Sequence, residues 1–253
     1  MFPFTDTAPR AARPILVIGL IAINTLVFLW MQSLPPRMLE RVLLHAALIP
    51  ARYSSPMEAI NLGLDPDSWW PLITSAFMHG GWIHLIINMW FLWIFGPAME
   101  ARFGRFGFLV LYLGGAVAAS FVHLWAHPWS PDPVLGASGA VAAIIAAHAV
   151  SYPRARVITI VLLGFIPLFF PLPAILFALI WFGLQLIQGS SELMAPHLAS
   201  EVAWWAHIGG FAFGALFALI IRTLMPHPKA QTTVWSEPPR RHIPVVRPRN
   251  WPE

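Results

Sequence analysis

The sequence predicts an all-helical membrane protein built as a bundle of six transmembrane helices, and three observations lead to that prediction. Of the 253 residues, 58% are hydrophobic and only 10% are charged, whereas soluble domains carry about 25% charged residues. Six apolar runs are spaced along the chain. The basic residues gather on one side of the membrane if each of those runs crosses it once.

The apolar runs define the predicted spans. They lie at about 14–33, 82–99, 106–126, 137–152, 172–188 and 201–222. The stretch 157–171 is also apolar, but Pro167 and Pro171 interrupt it, so we interpret it as an interfacial or re-entrant connection into the fifth helix. The first run is long enough to span, and no small-residue cleavage site follows it. We therefore expect an uncleaved helix rather than a signal peptide.

Basic residues set the predicted orientation. Twelve of the fifteen fall on one side of the six-span arrangement, and a seventh span through 157–171 would destroy this pattern. The positive-inside rule then predicts a multi-pass protein of the plasma (inner) membrane with both termini in the cytoplasm. Because the arginines sit at helix ends and in the tail, a nucleic-acid-binding face is a poor interpretation of the high pI.

The predicted organisation is a short cytoplasmic N-terminus, 1–13, a membrane domain, 14–224, and a disordered tail rich in proline and arginine, 225–253. A long outer loop, 34–71, joins the first two spans. Its segment 38–48 is apolar with sparse charge, which favours the membrane interface over water; a plain connecting loop is the alternative. The chain has no cysteine, which excludes disulfides and a cysteine nucleophile.

Four polar side chains are predicted to share one depth. Counting about 1.5 Å per residue from the arginine at the inner end of each helix places Ser138 about 24 Å, His207 about 22 Å, Asn88 about 21 Å and His84 about 27 Å above the inner face. This layer lies beneath the outer surface of a hydrocarbon core about 30 Å thick. Ionisable residues at such depth are functional candidates.

Ser138 is predicted to begin a helix too short to cross the bilayer, so the loop before it must dip inward and line a water-filled cavity. Gly136 and Gly139 permit a tight turn and close approach of a substrate. Free N–H groups at the helix terminus suit the negative oxygen of an acyl-transfer intermediate. The alternative is a capping serine between glycines that pack helices.

His207 is a candidate general base, and a histidine hydrogen-bonded inside a bundle is the alternative. Gly210 and Gly214 have the spacing that lets two helices approach closely; if the partner is the fourth helix, His207 meets Ser138. His84 and Asn88 lie four residues apart on one helix face. They could donate hydrogen bonds to an oxyanion or simply join helices through polar contacts.

These motifs resemble the rhomboid family of intramembrane serine proteases over about 14–222. The matching elements are Gly136-Ala137-Ser138-Gly139, Ala206-His207 with Gly210 and Gly214, His79 with His84 and Asn88, and Glu100-x-Arg102. Each motif is weak alone, but their order in a six-span chain is a strong signal. The segment 47–52 also looks like part of the family's first outer loop.

The resemblance implies a rhomboid-like six-helix bundle with a short, recessed fourth helix and a Ser138–His207 catalytic dyad. It implies an oxyanion hole formed by His84, Asn88 and the Ser138 backbone N–H. It also implies structural roles for a further set of residues: Gly136, Gly139, Glu100, Arg102, Gly210, Gly214 and His79. The expected substrates are transmembrane segments of other proteins, cut near their outer end in the lipid bilayer, with no metal or cofactor.

The chain departs from the family pattern at two places. Ala142 stands where an aromatic residue often supports the histidine ring, so another residue, a tryptophan or a phenylalanine, is expected to support His207. Trp69-Trp70 replaces the Trp-Arg pair of some members. Two alternative functions remain open: a catalytically silent rhomboid-like binder of membrane proteins and a small transporter. The natural substrate and the oligomeric state are not predicted.

Overall fold

A computed structural model describes residues 2–10, 13–163, 166–194 and 202–224, and this part of the chain is mostly helical. The predicted tail, 225–253, lies outside the described residues. The elements in chain order are β1 (Phe2–Asp6), α1 (Ile15–Ser33), α2 (Pro36–Ala46), α3 (Ala51–Ser54), α4 (Pro56–Asn61), α5 (Pro71–Thr74), a 3-10 turn (Ser75–Phe77), α6 (Trp82–Ala126), α7 (Ser138–Ser151), β2 (Arg156–Leu163), β3 (Ile166–Pro173), α8 (Ala174–Met194) and α9 (Trp204–Leu224).

Four helices in the described residues are long and apolar enough to cross a membrane: α1, α6, α8 and α9. Helix α6 has 45 residues and leaves helical geometry at Gly104, where φ is 69° and ψ is 174°. The two halves pack together, because a Cβ atom at Gly96 would lie 3.5 Å from Phe108 Cζ. The predicted runs 82–99 and 106–126 therefore correspond to the two arms of α6.

Helix α7 forms the centre of the fold. It has 14 residues, and all of them except Ser138 and Val150 are buried. A helix of this length rises only about 21 Å, which is less than the hydrocarbon thickness of about 30 Å. Its alanine-rich sequence allows α6 and α9 to pack closely around it, so its position is set from several sides.

Glu100 joins the C-terminal end of the first arm of α6 to the start of α1. Its two carboxylate oxygens accept hydrogen bonds from the backbone N–H groups of Leu16, at 3.1 Å, and Val17, at 3.0 Å. The first N–H groups of a helix have no partner within that helix. A carboxylate there also interacts favourably with the helix dipole. Glu100 thus caps α1 from a distant part of the sequence.

The stretch 157–171, which we expected to be an interfacial or re-entrant connection, contains two antiparallel strands. Strands β2 and β3 pair antiparallel from Arg156 opposite Pro173 to Leu163 opposite Ile166, and β1 pairs with the other edge of β2. The expected connection and the N-terminal segment 1–13 thus contribute strands that the all-helical prediction did not include. The β-branched residues of β2 favour an extended backbone.

The prolines that argued against a seventh span lie at the unpaired edge of this sheet. Alternate residues of an antiparallel strand direct their N–H groups to opposite edges. Ala174, which follows β3, donates its N–H to the Ala155 carbonyl, so even-numbered N–H groups face β2. Pro167, Pro171 and Pro173 then face the open edge, where a missing donor costs nothing and opposes pairing with a further strand.

Strand β1 is attached to the C-terminal end of α7 by a buried acidic side chain. The Asp6 carboxylate lies 2.6 Å from His148 Nε2, and both side chains are almost fully buried. Arg10 Nε donates to the same carboxylate at 3.1 Å. Burial acts to raise the pKa of Asp6, but hydrogen bonds and charge from His148 and Arg10 outweigh it and lower the pKa.

We predict that Asp6→Asn destabilises the protein by about 3 kcal/mol at pH 7, because it removes the charged partner of a buried pair. Since the folded-state pKa of Asp6 is lowered, its contribution is complete above the ordinary carboxyl pKa of about 4 and is lost as the pH falls further. Thermal unfolding in detergent, measured against pH, tests this.

The matched control is Asp132→Asn, which changes an exposed carboxylate and should alter stability by no more than about 0.5 kcal/mol. A gap between wild type and Asp6→Asn that stays the same from pH 7 down to pH 3 would contradict the assignment.

Candidate active site

Ser138 is the first residue of α7, and the backbone around it is held by the loops. Gly136 has φ of 133°, which an L side chain rarely adopts, and its N–H donates to the Ser75 carbonyl at 2.9 Å. A Cβ atom there would lie 2.7 Å from His84 Nε2 and 3.7 Å from Ser138 Oγ. Gly136 therefore leaves space between the imidazole and the hydroxyl.

The outer loop is attached to the segment that leads into α7. Leu48 and Val134 exchange two backbone hydrogen bonds, at 3.0 and 2.7 Å, and Ala51 donates its N–H to the Ser130 carbonyl at 2.9 Å. These contacts hold the loop before Ser138 against the segment 47–52. The non-helical backbone at the mouth of the site is thus satisfied by other parts of the protein.

Helices α7 and α9 are in backbone contact. A Cβ atom at Gly210 would lie 2.0 Å from the Gly139 carbonyl oxygen, and one at Gly214 would lie 2.0 Å from the Ala143 carbonyl oxygen. The glycine pair of α9 thus faces the first turns of α7. Because Gly139 follows Ser138 and Gly210 is one turn beyond His207, the same contact brings the serine and histidine turns together.

His207 is buried and has a polar partner that the sequence analysis missed. Its Nδ1 atom lies 2.7 Å from Oε1 of Gln185, which is a buried residue of α8. Nε2 of Gln185 donates to the Trp181 carbonyl at 3.2 Å. The only sequence signal for this role was a glutamine in the interior of an apolar span. The sequence could not show that His207 is its partner, because the two residues meet only in the tertiary structure.

These two contacts favour one tautomer of His207. Since the Gln185 amide nitrogen is directed at a carbonyl, its oxygen faces the imidazole and accepts, so Nδ1 of His207 carries the proton and donates. In a neutral imidazole the other nitrogen, Nε2, is then an acceptor. An unprotonated Nε2 is the atom that a general base requires.

Two tryptophans flank the His207 ring. The Trp181 ring centroid lies 5.8 Å away at an interplanar angle of 35°, and that of Trp204 lies 6.0 Å away, edge-on. Ala142, the position where an aromatic residue was absent, is buried within α7. The ring support that the sequence could assign only to a tryptophan or a phenylalanine comes from α8 and from the start of α9.

The predicted oxyanion donors lie on the first two turns of α6. His84 is half-buried, and the His79 ring packs edge-on against it at 5.2 Å. Asn88 is buried and donates one amide N–H to the His84 carbonyl at 3.0 Å. An asparagine amide has two N–H donors, so this bond leaves one of them for another acceptor.

The described residues contain no group of three or more His, Cys, Asp or Glu side chains suited to hold a metal ion.

Comparison with known proteins identifies the class to which this fold and site belong. The family model of the Rhomboid domain matches residues 66–224, and the chain belongs to the rhomboid family, which includes intramembrane serine proteases that act on transmembrane substrates.

Individual relatives cover different parts of the chain. The presenilin-associated rhomboid-like protein A, mitochondrial, of Danio rerio is 32% identical over 58% of this chain and 36% of its own length. Rhomboid protein 1, mitochondrial, of Saccharomyces cerevisiae is 29% identical over 87% of this chain and 56% of its own length. Rhomboid protease GluP of Bacillus subtilis is 38% identical over 29% of this chain and 14% of its own length.

The chain spans roughly a third to a little over half of the length of the first two relatives.

The names of these two relatives correct one prediction. The expected location in the plasma membrane with cytoplasmic termini is wrong by this comparison, because these relatives are named mitochondrial and point to a mitochondrial membrane instead. The positive-inside rule reports the side of the membrane on which basic residues lie, and not which membrane it is.

We predict that Gly210→Ala destabilises the protein by about 1–3 kcal/mol or more, because the new methyl group would meet backbone that cannot move aside cheaply. Thermal unfolding in detergent measures the loss. Gly183→Ala on α8 is the matched control, since a Cβ atom there meets nothing within 4 Å, and its stability should be unchanged or slightly higher. Equal stability of the two variants would contradict the close α7–α9 contact.

Proposed function

We propose that the chain is an intramembrane serine endopeptidase that cleaves transmembrane segments of other membrane proteins. The observation that carries the proposal is the backbone contact between α7 and α9, which joins the turn of Ser138 to the turn of His207. Family membership supports it independently. The catalytic and oxyanion roles below extend these findings.

We propose six membrane spans for this protease, within a membrane domain at 14–224. Helix α6 rises about 68 Å if straight, more than twice the hydrocarbon thickness, and its break at Gly104 lies between Arg102 and Arg105. Each arm then makes one crossing, and α1, α7, α8 and α9 supply the other four. Helix α7 is the recessed one, with Ser138 below the outer surface.

In the proposed reaction Ser138 Oγ attacks the scissile carbonyl carbon while His207 Nε2 takes the hydroxyl proton. The tetrahedral intermediate collapses, the C–N bond breaks, and His207 returns the proton to the leaving amine. Water then attacks the acyl-enzyme ester with the same base, releasing the acid and restoring the hydroxyl. No acidic residue takes part as a third member beside Ser138 and His207 in this scheme.

The negative oxygen of the intermediate would be held by the Ser138 backbone N–H, His84 and the free amide N–H of Asn88. The Ser138 N–H is among the first of α7, where helices leave donors unpaired. Gly136 keeps the space between His84 and Ser138 open. Loss of one donor of this type typically lowers turnover about 10²–10³-fold.

We predict that a fluorophosphonate probe labels the purified protein and that Ser138→Ala abolishes labelling, because the probe reacts with an activated serine hydroxyl. His207→Ala should lower labelling by about 10²-fold or more, since it removes the base. Gel fluorescence after probe treatment measures both, with cleavage of a transmembrane model substrate as the second assay.

Ser191→Ala, an exposed serine of α8, is the control and should be labelled like wild type. Labelling of Ser138→Ala at the wild-type level would overturn the proposal. Absence of labelling and cleavage in the wild type, together with retained binding of a membrane protein, would favour a catalytically silent binder.

We further predict that Gln185→Leu lowers kcat about 10–100-fold with little change in KM, because His207 loses the acceptor that fixes its Nδ1 proton. Gln185→Glu keeps an acceptor oxygen at this place and should recover much of the activity. Steady-state cleavage kinetics of a transmembrane substrate in detergent separate the two parameters.

Gln188→Leu changes an exposed glutamine of the same helix and should leave both parameters unchanged. A Gln185→Leu variant with wild-type kcat, or an equal loss in the Leu and Glu variants with matched stability, would contradict the positioning role of Gln185.

A further inference from the structure

A cavity lies beside the C-terminal end of α7, whereas Ser138 is at the N-terminal end of that helix. It has a volume of about 470 Å³ and is bounded by the segment 7–9, by the turn 152–155 between α7 and β2, and by Arg222 in the last turn of α9. Its side chains include Arg154 and Arg222, which come from different elements and are both exposed. The hydroxyl-bearing residues Thr7 and Tyr152 also line it.

The positive charge of this cavity is not neutralised within the described part of the chain. On this side of the bundle the described carboxylates are Asp6 and Glu100. Asp6 is held by His148 and Arg10, and Glu100 caps α1. Two guanidinium groups that border one cavity repel each other, and a bound anion would relieve that repulsion.

The sheet that follows the turn 152–155 carries an exposed apolar surface. It exposes large apolar side chains where a water-facing sheet would carry polar ones: Phe4 at 49%, Ile166 at 62% and Phe169 at 54% exposed. Phe4 and Phe169 pack against each other with ring centroids 5.9 Å apart. An apolar surface beside a basic cavity matches the two parts of a phospholipid, its acyl chains and its phosphate.

We propose that this cavity binds a phosphate group, and that an anionic membrane phospholipid supplies it. Arg154 and Arg222 bind the phosphate oxygens, since a guanidinium presents paired donors that match that geometry. The acyl chains lie along the exposed face of the sheet. This site is separate from the proposed catalytic centre and does not depend on it, because it lies at the other end of α7.

The test titrates the full-length protein in detergent with phosphatidylglycerol, phosphatidylcholine or inorganic phosphate and follows the unfolding temperature. Wild type should be stabilised by phosphatidylglycerol and not by phosphatidylcholine. Arg154→Gln combined with Arg222→Gln should weaken the apparent affinity for phosphatidylglycerol about thirtyfold, at about 1 kcal/mol for each arginine.

The matched control is Arg105→Gln combined with Arg156→Gln, which removes the same charge from two exposed arginines outside the cavity lining and should keep the wild-type affinity. Equal weakening in both double variants, or equal stabilisation by the two lipids, would overturn the proposal. Stabilisation by inorganic phosphate alone, lost only in the cavity variant, would uphold the phosphate site and overturn its lipid source. Arg222→Gln alone is a second, milder variant, and its apparent affinity for phosphatidylglycerol should fall between those of wild type and the double variant.

Discussion

The backbone contact between α7 and α9 is the constraint on which the rest of the structure depends. In lipid, helices gain little from burying apolar side chains against each other, so close packing through small residues takes over that role. Gly210 and Gly214 permit the approach, and the carbonyls of Gly139 and Ala143 occupy the space that side chains would need. Because Ser138 and His207 are each within one turn of this contact, packing and site geometry have the same physical origin.

Two buried carboxylates, at the end of the bundle away from Ser138, connect distant parts of the chain. Glu100 caps α1, and Asp6 ties β1 to His148 at the lower end of α7. Each buried carboxylate has more than one hydrogen-bond or charged partner, because a charge removed from water is costly unless it is paired. Their use inside the fold leaves Arg154 and Arg222 without an internal acidic partner in the described residues, so the electrostatics of that surface follow from how the core is assembled.

The sequence predicts what depends on local pattern and depth. Apolar run lengths locate the helices, the distance from Arg222 places His207 at the level of Ser138, and the spacing of Gly210 and Gly214 indicates a close helix contact. It could not predict the hairpin 156–173, because prolines fit an edge strand as well as an irregular loop, and only the pairing with β2 decides between them. Nor could it assign Gln185, since a glutamine in an apolar span has many possible partners.

Gln185 also offers a physical reason why a site of this kind needs no acidic member. A carboxylate beside His207 would fix the same imidazole proton, but its charge would be costly among apolar helices. An amide performs the orientation without charge, and both its ends are satisfied, one by the Trp181 carbonyl and the other by His207. In the proposed reaction, a neutral partner stabilises the imidazolium that would form during attack less than a carboxylate would. The proposed dyad would then depend more on the geometry that α7 and α9 impose on the hydroxyl and the imidazole.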